Sequence, residues 1–72
     1  MNKGEILDKI FKRMDELNLH SKMNQLFIDN GMNICDLNEL RERNPNALKQ
    51  WYKYYHRSRK LMAMATFTVL NK

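Results

Sequence analysis

Asn44-Pro45-Asn46-Ala47-Leu48-Lys49-Gln50-Trp51-Tyr52-Lys53-Tyr54-Tyr55-His56-Arg57 opens a stretch that runs to Leu70 without a further Pro and without Gly. Asn is a favoured N-cap and Pro a favoured first helical residue, so the pair predicts a helix starting here. One helix from Pro45 to Leu70 is about 39 Å long at ~1.5 Å per residue. The stretch holds the only Trp and all three Tyr of the 72-residue chain. At ~100° per residue, Ala47, Leu48, Trp51, Tyr54, Tyr55, Ser58, Met62, Ala65, Thr66 and Val69 share one face. Lys49, Lys53, His56, Arg57 and Lys60 take the opposite face, with Tyr52 and Arg59 at the border.

The charge follows the same division. Residues 1–44 carry seven Lys/Arg against eight Asp/Glu, a net of −1; residues 45–72 carry six Lys/Arg and no carboxylate, a net of +6. A nearly neutral first half with a cationic second half reads as a scaffold with a docking surface for something acidic. Cations near a helix C-terminus complement the macrodipole, but these sit mid-helix, where that account is weak. The plain reading is a solvated lysine face over a core contact. The functional one is a surface that meets phosphate.

Working back toward the N-terminus, Ile6, Leu7, Ile10, Phe11, Met14 and Leu17 have amphipathic-helix spacing, which predicts a helix from Lys3 to Leu17. Glu5–Lys9 and Asp8–Lys12 are favourable i,i+4 pairs. Asn18 interrupts, and Leu19-His20-Ser21 reads as a connector with Ser21 as the next N-cap. Met23, Leu26 and Phe27 form the face of a second helix, which Asn30-Gly31 stops, since Gly readily takes the left-handed conformation. Asp36 and Glu39 have capping-box spacing before a short helix that buries Leu37 and Leu40 and ends near Arg43. Arg41-Glu42-Arg43 reads as a solvated polar face, His20 as a surface or capping histidine, and Cys35 as a small buried hydrophobe.

At the C-terminal end, Leu61 to Leu70 is apolar almost all round, and a helix of that kind needs cover on most sides. Either the N-terminal helix covers it, which is the favoured reading, or Met64 and Phe67 form an exposed patch for a second chain. The expected fold is therefore all-α: a single domain over residues 1–72, a small four- or five-helix bundle with a long C-terminal helix around one core.

Composition narrows the function. One cysteine cannot form an internal disulfide, so no oxidising compartment is required. No apolar run reaches the ~18 residues of a membrane span, and Met1-Asn2-Lys3-Gly4-Glu5 carries neither a signal-peptide pattern nor a myristoylation site. A cytoplasmic location is the expectation. His20, Cys35 and His56 lack zinc-ligand spacing, so no metal is expected. No Gly-rich phosphate loop, paired acid and base, or evident nucleophile stands in the sequence, so neither catalytic residues nor cofactors are expected and the chain reads as no enzyme. A helix-turn-helix reading around Gly31 fails. Phe27 occupies the position where a small residue is needed, and Asp36, Glu39 and Glu42 on the reading helix would repel phosphate.

Leu17-Asn18-Leu19, then Phe27-Ile28-Asp29-Asn30-Gly31-Met32-Asn33, Leu37, Leu40, Leu48, and finally His56-Arg57 with Lys60-Leu61 and Ala63 follow a pattern that resembles the sterile alpha motif (SAM) family over roughly two-thirds of the chain. Tyr55 stands where that pattern has the Gly before His-Arg, and the family's early aromatic is replaced by Met14 or Phe11. The resemblance implies a five-helix bundle that associates with other proteins. In some members the start of the last helix binds RNA hairpins, and Lys53, His56, Arg57 and Lys60 lie in that region.

Two functions remain in view. The first is a nucleic-acid-associated module in which Lys49, Lys53, Arg57, Arg59 and Lys60 take phosphates, with His56 among them, and Tyr52 stacks on an unpaired base. The second is a SAM-like adaptor that binds an acidic protein or a second copy through Met64 and Phe67. Membrane-surface association is weakest, because interfacial helices separate the basic and apolar faces that are combined here. Trp51 and Tyr55, on the face of Leu48 and Met62, belong to the core.

Overall fold

The computed structural model describes residues 2–70. Among them are four helices and no strand: α1 (Lys3–Leu17), α2 (Leu19–Asp29), α3 (Leu37–Arg43) and α4 (Pro45–Leu70). Helix α4 starts at Pro45 because extended Asn44 caps it, its Oδ1 accepting from the Ala47 N–H at 3.3 Å. It then runs unbroken through Tyr54–His56. No fifth helix forms at that point, because nothing in the stretch breaks the ladder.

Helices α1, α2 and α3 all pack on α4. Along α4, Ala47, Trp51, Tyr54, Ser58, Leu61, Ala65 and Thr68, each buried or half-buried, form the line that faces them, with buried Leu48 and half-buried Gln50 and Tyr55 beside it. The spacing along that line alternates four and three, a 3.5-residue seam of the kind that keeps long packed helices in register. This corrects the expected face. Met62, Thr66 and Val69 lie beside the seam and are exposed, while Leu61 and Thr68 are the residues turned inward. Over seven turns, the 3.5-residue seam and a 3.6-residue wheel diverge.

A kink at Asn18 and a turn at Gly31 lay the first three helices along α4, α1 beside its C-terminal half and α2 beside its N-terminal half. Asn18 alone joins α1 to α2, in the left-handed conformation (φ 52°, ψ 44°). Its N–H donates to the carbonyls of Met14 and Asp15, and its own carbonyl accepts from Lys22 as α2 begins. Asn tolerates this conformation better than most residues. The expected connector Leu19-His20-Ser21 with a Ser21 cap is therefore absent. Leu19 is buried in the first turn of α2, and Ser21 lies within that helix.

At the other end of α2, Gly31 has φ 71°. The Gly31 N–H donates to Ile28 and the Met32 N–H to Phe27, both at 3.0 Å. That is the Schellman pattern, and it brings Met32 against Phe27 in the core. Only Met32 of this loop turns inward. Cys35 is exposed, against the expectation of burial, as is Ile34. Asp36 caps α3 through the N–H groups of Asn38 and Glu39. Glu39 makes an ion pair with Arg43 (3.0 Å) rather than closing a box on Asp36. Arg43 also donates to the Asn30 carbonyl at 2.9 Å, so it is a tie between helices and not only part of a solvated face.

The core sits at one end. Phe27, Met32, Leu40, Ala47 and Leu48 form its buried cluster, joined by Leu26, Leu37 and Trp51. The C-terminal half of α4 has α1 beside it, with Leu7 and Phe11 sharing a groove with Met62, Ala65 and Val69. The chain is consequently a rod of 46 × 18 × 18 Å. Its radius of gyration is 15.1 Å, where a compact domain of this length has about 11 Å. A bundle closed around one core was expected; the structure is a long helix thickly covered at one end and thinly at the other.

Candidate nucleic-acid interface

Lys49, Tyr52, Lys53, His56, Arg57, Arg59 and Lys60 are all solvent-exposed on α4. From Lys49 to Lys60 is about 16 Å along the axis at ~1.5 Å per residue. Lys49, Lys53, His56 and Lys60 form the middle of the stripe. Arg57 and Arg59 flank it on opposite sides, ~160° apart around the helix, so no single phosphate reaches both. The recorded ion pairs, Arg13–Glu16 and Arg43–Glu39, lie outside α4. Among the described residues, no carboxylate pairs with Lys49, Lys53, Arg57, Arg59 or Lys60. Acidic side chains are absent after Glu42, and the seam turns the other helices away from this face.

Arg59 is held in place by its own helix. Its Nη1 donates to the Tyr55 hydroxyl at 3.1 Å, and its guanidinium lies 5.8 Å from that ring. The Arg59 pKa is raised above its ordinary value, first by this hydrogen bond and then by Coulomb attraction to Tyr55. Arg59 is charged at any physiological pH.

The aromatic residues form two stacked pairs at i,i+4 spacing. Trp51 and Tyr55 are nearly parallel with centroids 5.0 Å apart, and Tyr52 stacks on His56 at 6.0 Å. Trp51 meets Tyr52 edge-on at 5.3 Å, which links the pairs. Trp51 packs on the core cluster as expected, and Tyr55 is half-buried. Tyr52 is 39% exposed. Its stacking on His56 makes the two rings one platform rather than a lone base-stacking tyrosine.

Sequence reading passed over the role of Tyr55 as the anchor of Arg59, although their i,i+4 spacing carried the signal. It also missed Lys22 of α2, whose ammonium lies 5.9 Å from the Tyr54 ring. No local pattern links those two residues, which are brought together by the packing of α2 on α4.

Met64 and Phe67 are 49% and 69% exposed, so the favoured expectation that the N-terminal helix covers them is overturned. Helix α1 is a single rod, and it shields one side of the apolar segment only. Phe67 lines a shallow groove with Tyr55, Arg59, Met62, Ala63, Thr66 and Leu70, and Met64 lies outside it. The basic stripe and the apolar end therefore succeed each other along α4 and are not separated around it.

Among the described residues, no three of His, Cys, Asp and Glu stand together as metal ligands, and no helix is long and apolar enough to cross a membrane. Comparison with family models, curated proteins and solved structures returned no match.

Proposed function

We propose that this chain is a non-enzymatic, nucleic-acid-associated binding module of the cytoplasm that docks through the exposed face of α4. One observation carries the reading: five cations, Lys49, Lys53, Arg57, Arg59 and Lys60, stand on one helix with no carboxylate partner among the described residues. Uncompensated cations on a rigid rod are what releases counterions from a phosphate backbone. The Tyr52–His56 platform, set among them, offers a stacking surface for an unpaired base. This chemistry needs no cofactor and favours single-stranded or structured nucleic acid.

The test is fluorescence anisotropy with labelled single-stranded and duplex oligonucleotides across a salt series. With about four phosphates neutralised, log K falls against log salt with a slope of about −3 for single strands and −3.6 for duplex. Replacing Lys53, Arg57 and Lys60 together by Ala abolishes binding and leaves helicity intact. Absence of binding at ~50 mM salt removes the reading, since electrostatic association is strong in that range.

A second reading is favoured by the exposure of Met64 and Phe67: a SAM-like adaptor whose apolar patch and neighbouring cations take an acidic protein. A Phe67→Asp variant that keeps every binding partner rules it out.

A further inference from the structure

The side of α4 turned away from α1, α2 and α3 is a convex ridge with nothing packed on it. At ~100° per residue, Lys49, Tyr52, His56, Lys60, Phe67 and Leu70 lie within ~60° of the direction opposite the seam, and all are exposed. The first four are cations or aromatic rings, the last two hydrocarbon. Phosphate chemistry makes no use of the hydrocarbon part, yet Phe67 and Leu70 are 69% and 73% exposed, with Met62, Met64 and Val69 exposed around them. On the same wheel these five apolar side chains span ~220° of the circumference. A helix seated on a protein buries a stripe of about 100°, which would leave half of that arc in water. A helix sunk ~5–10 Å into the boundary between lipid headgroups and acyl chains is contacted on more than half of its circumference.

We infer that this ridge docks obliquely on an anionic lipid bilayer, with Phe67 and Leu70 in the acyl boundary and Lys53, Arg59 and Lys60 at the lipid phosphates. Interfacial helices that lie flat separate basic and apolar faces around the axis, which α4 does not. It separates them along the axis, and that arrangement selects a tilt. Lys60 and Leu70 are ~15 Å apart along α4, so an approach at about 30° sets Leu70 ~7 Å deeper than Lys60, within the depth such helices reach. Helix α1 stands one interaxial distance, ~8–10 Å, behind the ridge, which keeps Glu5 and Asp8 out of the hydrocarbon. Charge complementarity names the lipid: α4 carries six Lys/Arg-free-of-carboxylate turns' worth of positive charge, with no acidic residue after Glu42 to oppose an anionic surface. Each Lys or Arg held near such a surface strengthens binding about fivefold.

This inference goes beyond oligonucleotide binding and does not depend on it: the cations are shared, but the apolar end serves the lipid alone. The test is flotation of the full chain with vesicles of phosphatidylcholine, and of phosphatidylcholine mixed with phosphatidylglycerol. The mixed vesicles are expected to bind, and the neutral ones to bind roughly tenfold or more weakly. An environment-sensitive dye on Ala63→Cys, in a Cys35→Ser background, should shift to the blue on binding, while the same dye on Lys12→Cys of α1 should not. Phe67→Asn and Leu70→Asn should each weaken vesicle binding about tenfold and leave oligonucleotide binding and helical circular dichroism unchanged. Lys60→Ala should weaken it about fivefold. Vesicle binding by a chain that ignores oligonucleotides supports the lipid face on its own. No binding to the mixed vesicles at ~0.1 M salt, where charges still act over ~10 Å, overturns the proposal. Binding that Phe67→Asn leaves unchanged overturns it too, since that is adsorption by charge alone. Retention of an acidic amphipathic peptide in place of vesicles assigns the ridge to a protein instead.

Discussion

Asn44 Nδ2 donates to Asn30 Oδ1 at 3.3 Å, so the residue that caps the start of α4 also holds the residue that ends α2. Asn30 in turn donates to the Leu26 carbonyl at 2.6 Å and offers its own carbonyl to Arg43. A local cap and a tertiary tie thus share two amides. Asn44→Ala removes both and is expected to cost about 1–2 kcal/mol of stability. Asn44→Asp keeps an acceptor for Ala47 but loses the donor to Asn30, so its cost should be smaller. Urea unfolding followed by circular dichroism separates the two variants.

Leu40 is the one side chain of the core cluster with no exposed surface at all. Leu40→Ala leaves a cavity between α2, α3 and α4 and is expected to cost about 3 kcal/mol. Domains of this length have ~4–11 kcal/mol in total, so a fall in the thermal midpoint well above ten degrees should follow in calorimetry.

Ser58 behaves differently, although it too is buried in the seam. No buried side-chain oxygen is left without a partner among the described residues, so the Ser58 hydroxyl carries no desolvation penalty. Ser58→Ala gains helix propensity alone and should stabilise the chain by about 0.5 kcal/mol. Ser58→Leu should destabilise it, because the seam has room for a small residue only. Denaturant midpoints of the pair check the sign of each change.

For oligonucleotide binding, Lys60→Ala should flatten the plot of log K against log salt by about 0.7 for a single strand. Arg59→Ala should do the same, and to the same extent at pH 6 and pH 9. The raised Arg59 pKa means that the folded state favours the charged form. Any linked loss lies above the ordinary arginine range, far from this window. Anisotropy titrations at the two pH values test this directly.

Much of the architecture was legible where a residue has one strong reason for its place. Asn44-Pro45 set the start of α4, Gly31 the end of α2, and the spacing from Ile6 to Leu17 the length of α1. The signals failed where two elements compete for one side chain. Ser21 looked like a cap because its chemistry is right, but burial of Leu19 starts α2 earlier. Met62 and Val69 fell on the inner face of an ideal wheel, and the long seam with α1 and α2 turned Leu61 and Thr68 inward instead. In the candidate interface, exposure of the cations follows from their place off the seam, and their lack of ion-pair partners fits the absence of carboxylates after Glu42. The Tyr52–His56 and Tyr55–Arg59 contacts needed side-chain geometry, and Lys22 over Tyr54 needed the tertiary fold.

Since α1, α2 and α3 all lean on α4, the helix they share leaves the ribosome after all three of them. Until Trp51, Ser58 and Ala65 emerge, the inner faces of α1 and α2 lack the helix they pack on, and Phe27 has only Met32 and Leu40 of its cluster. The nascent segment is therefore at its stickiest while α4 is still inside the ribosome, and consolidation has to wait until that helix is out.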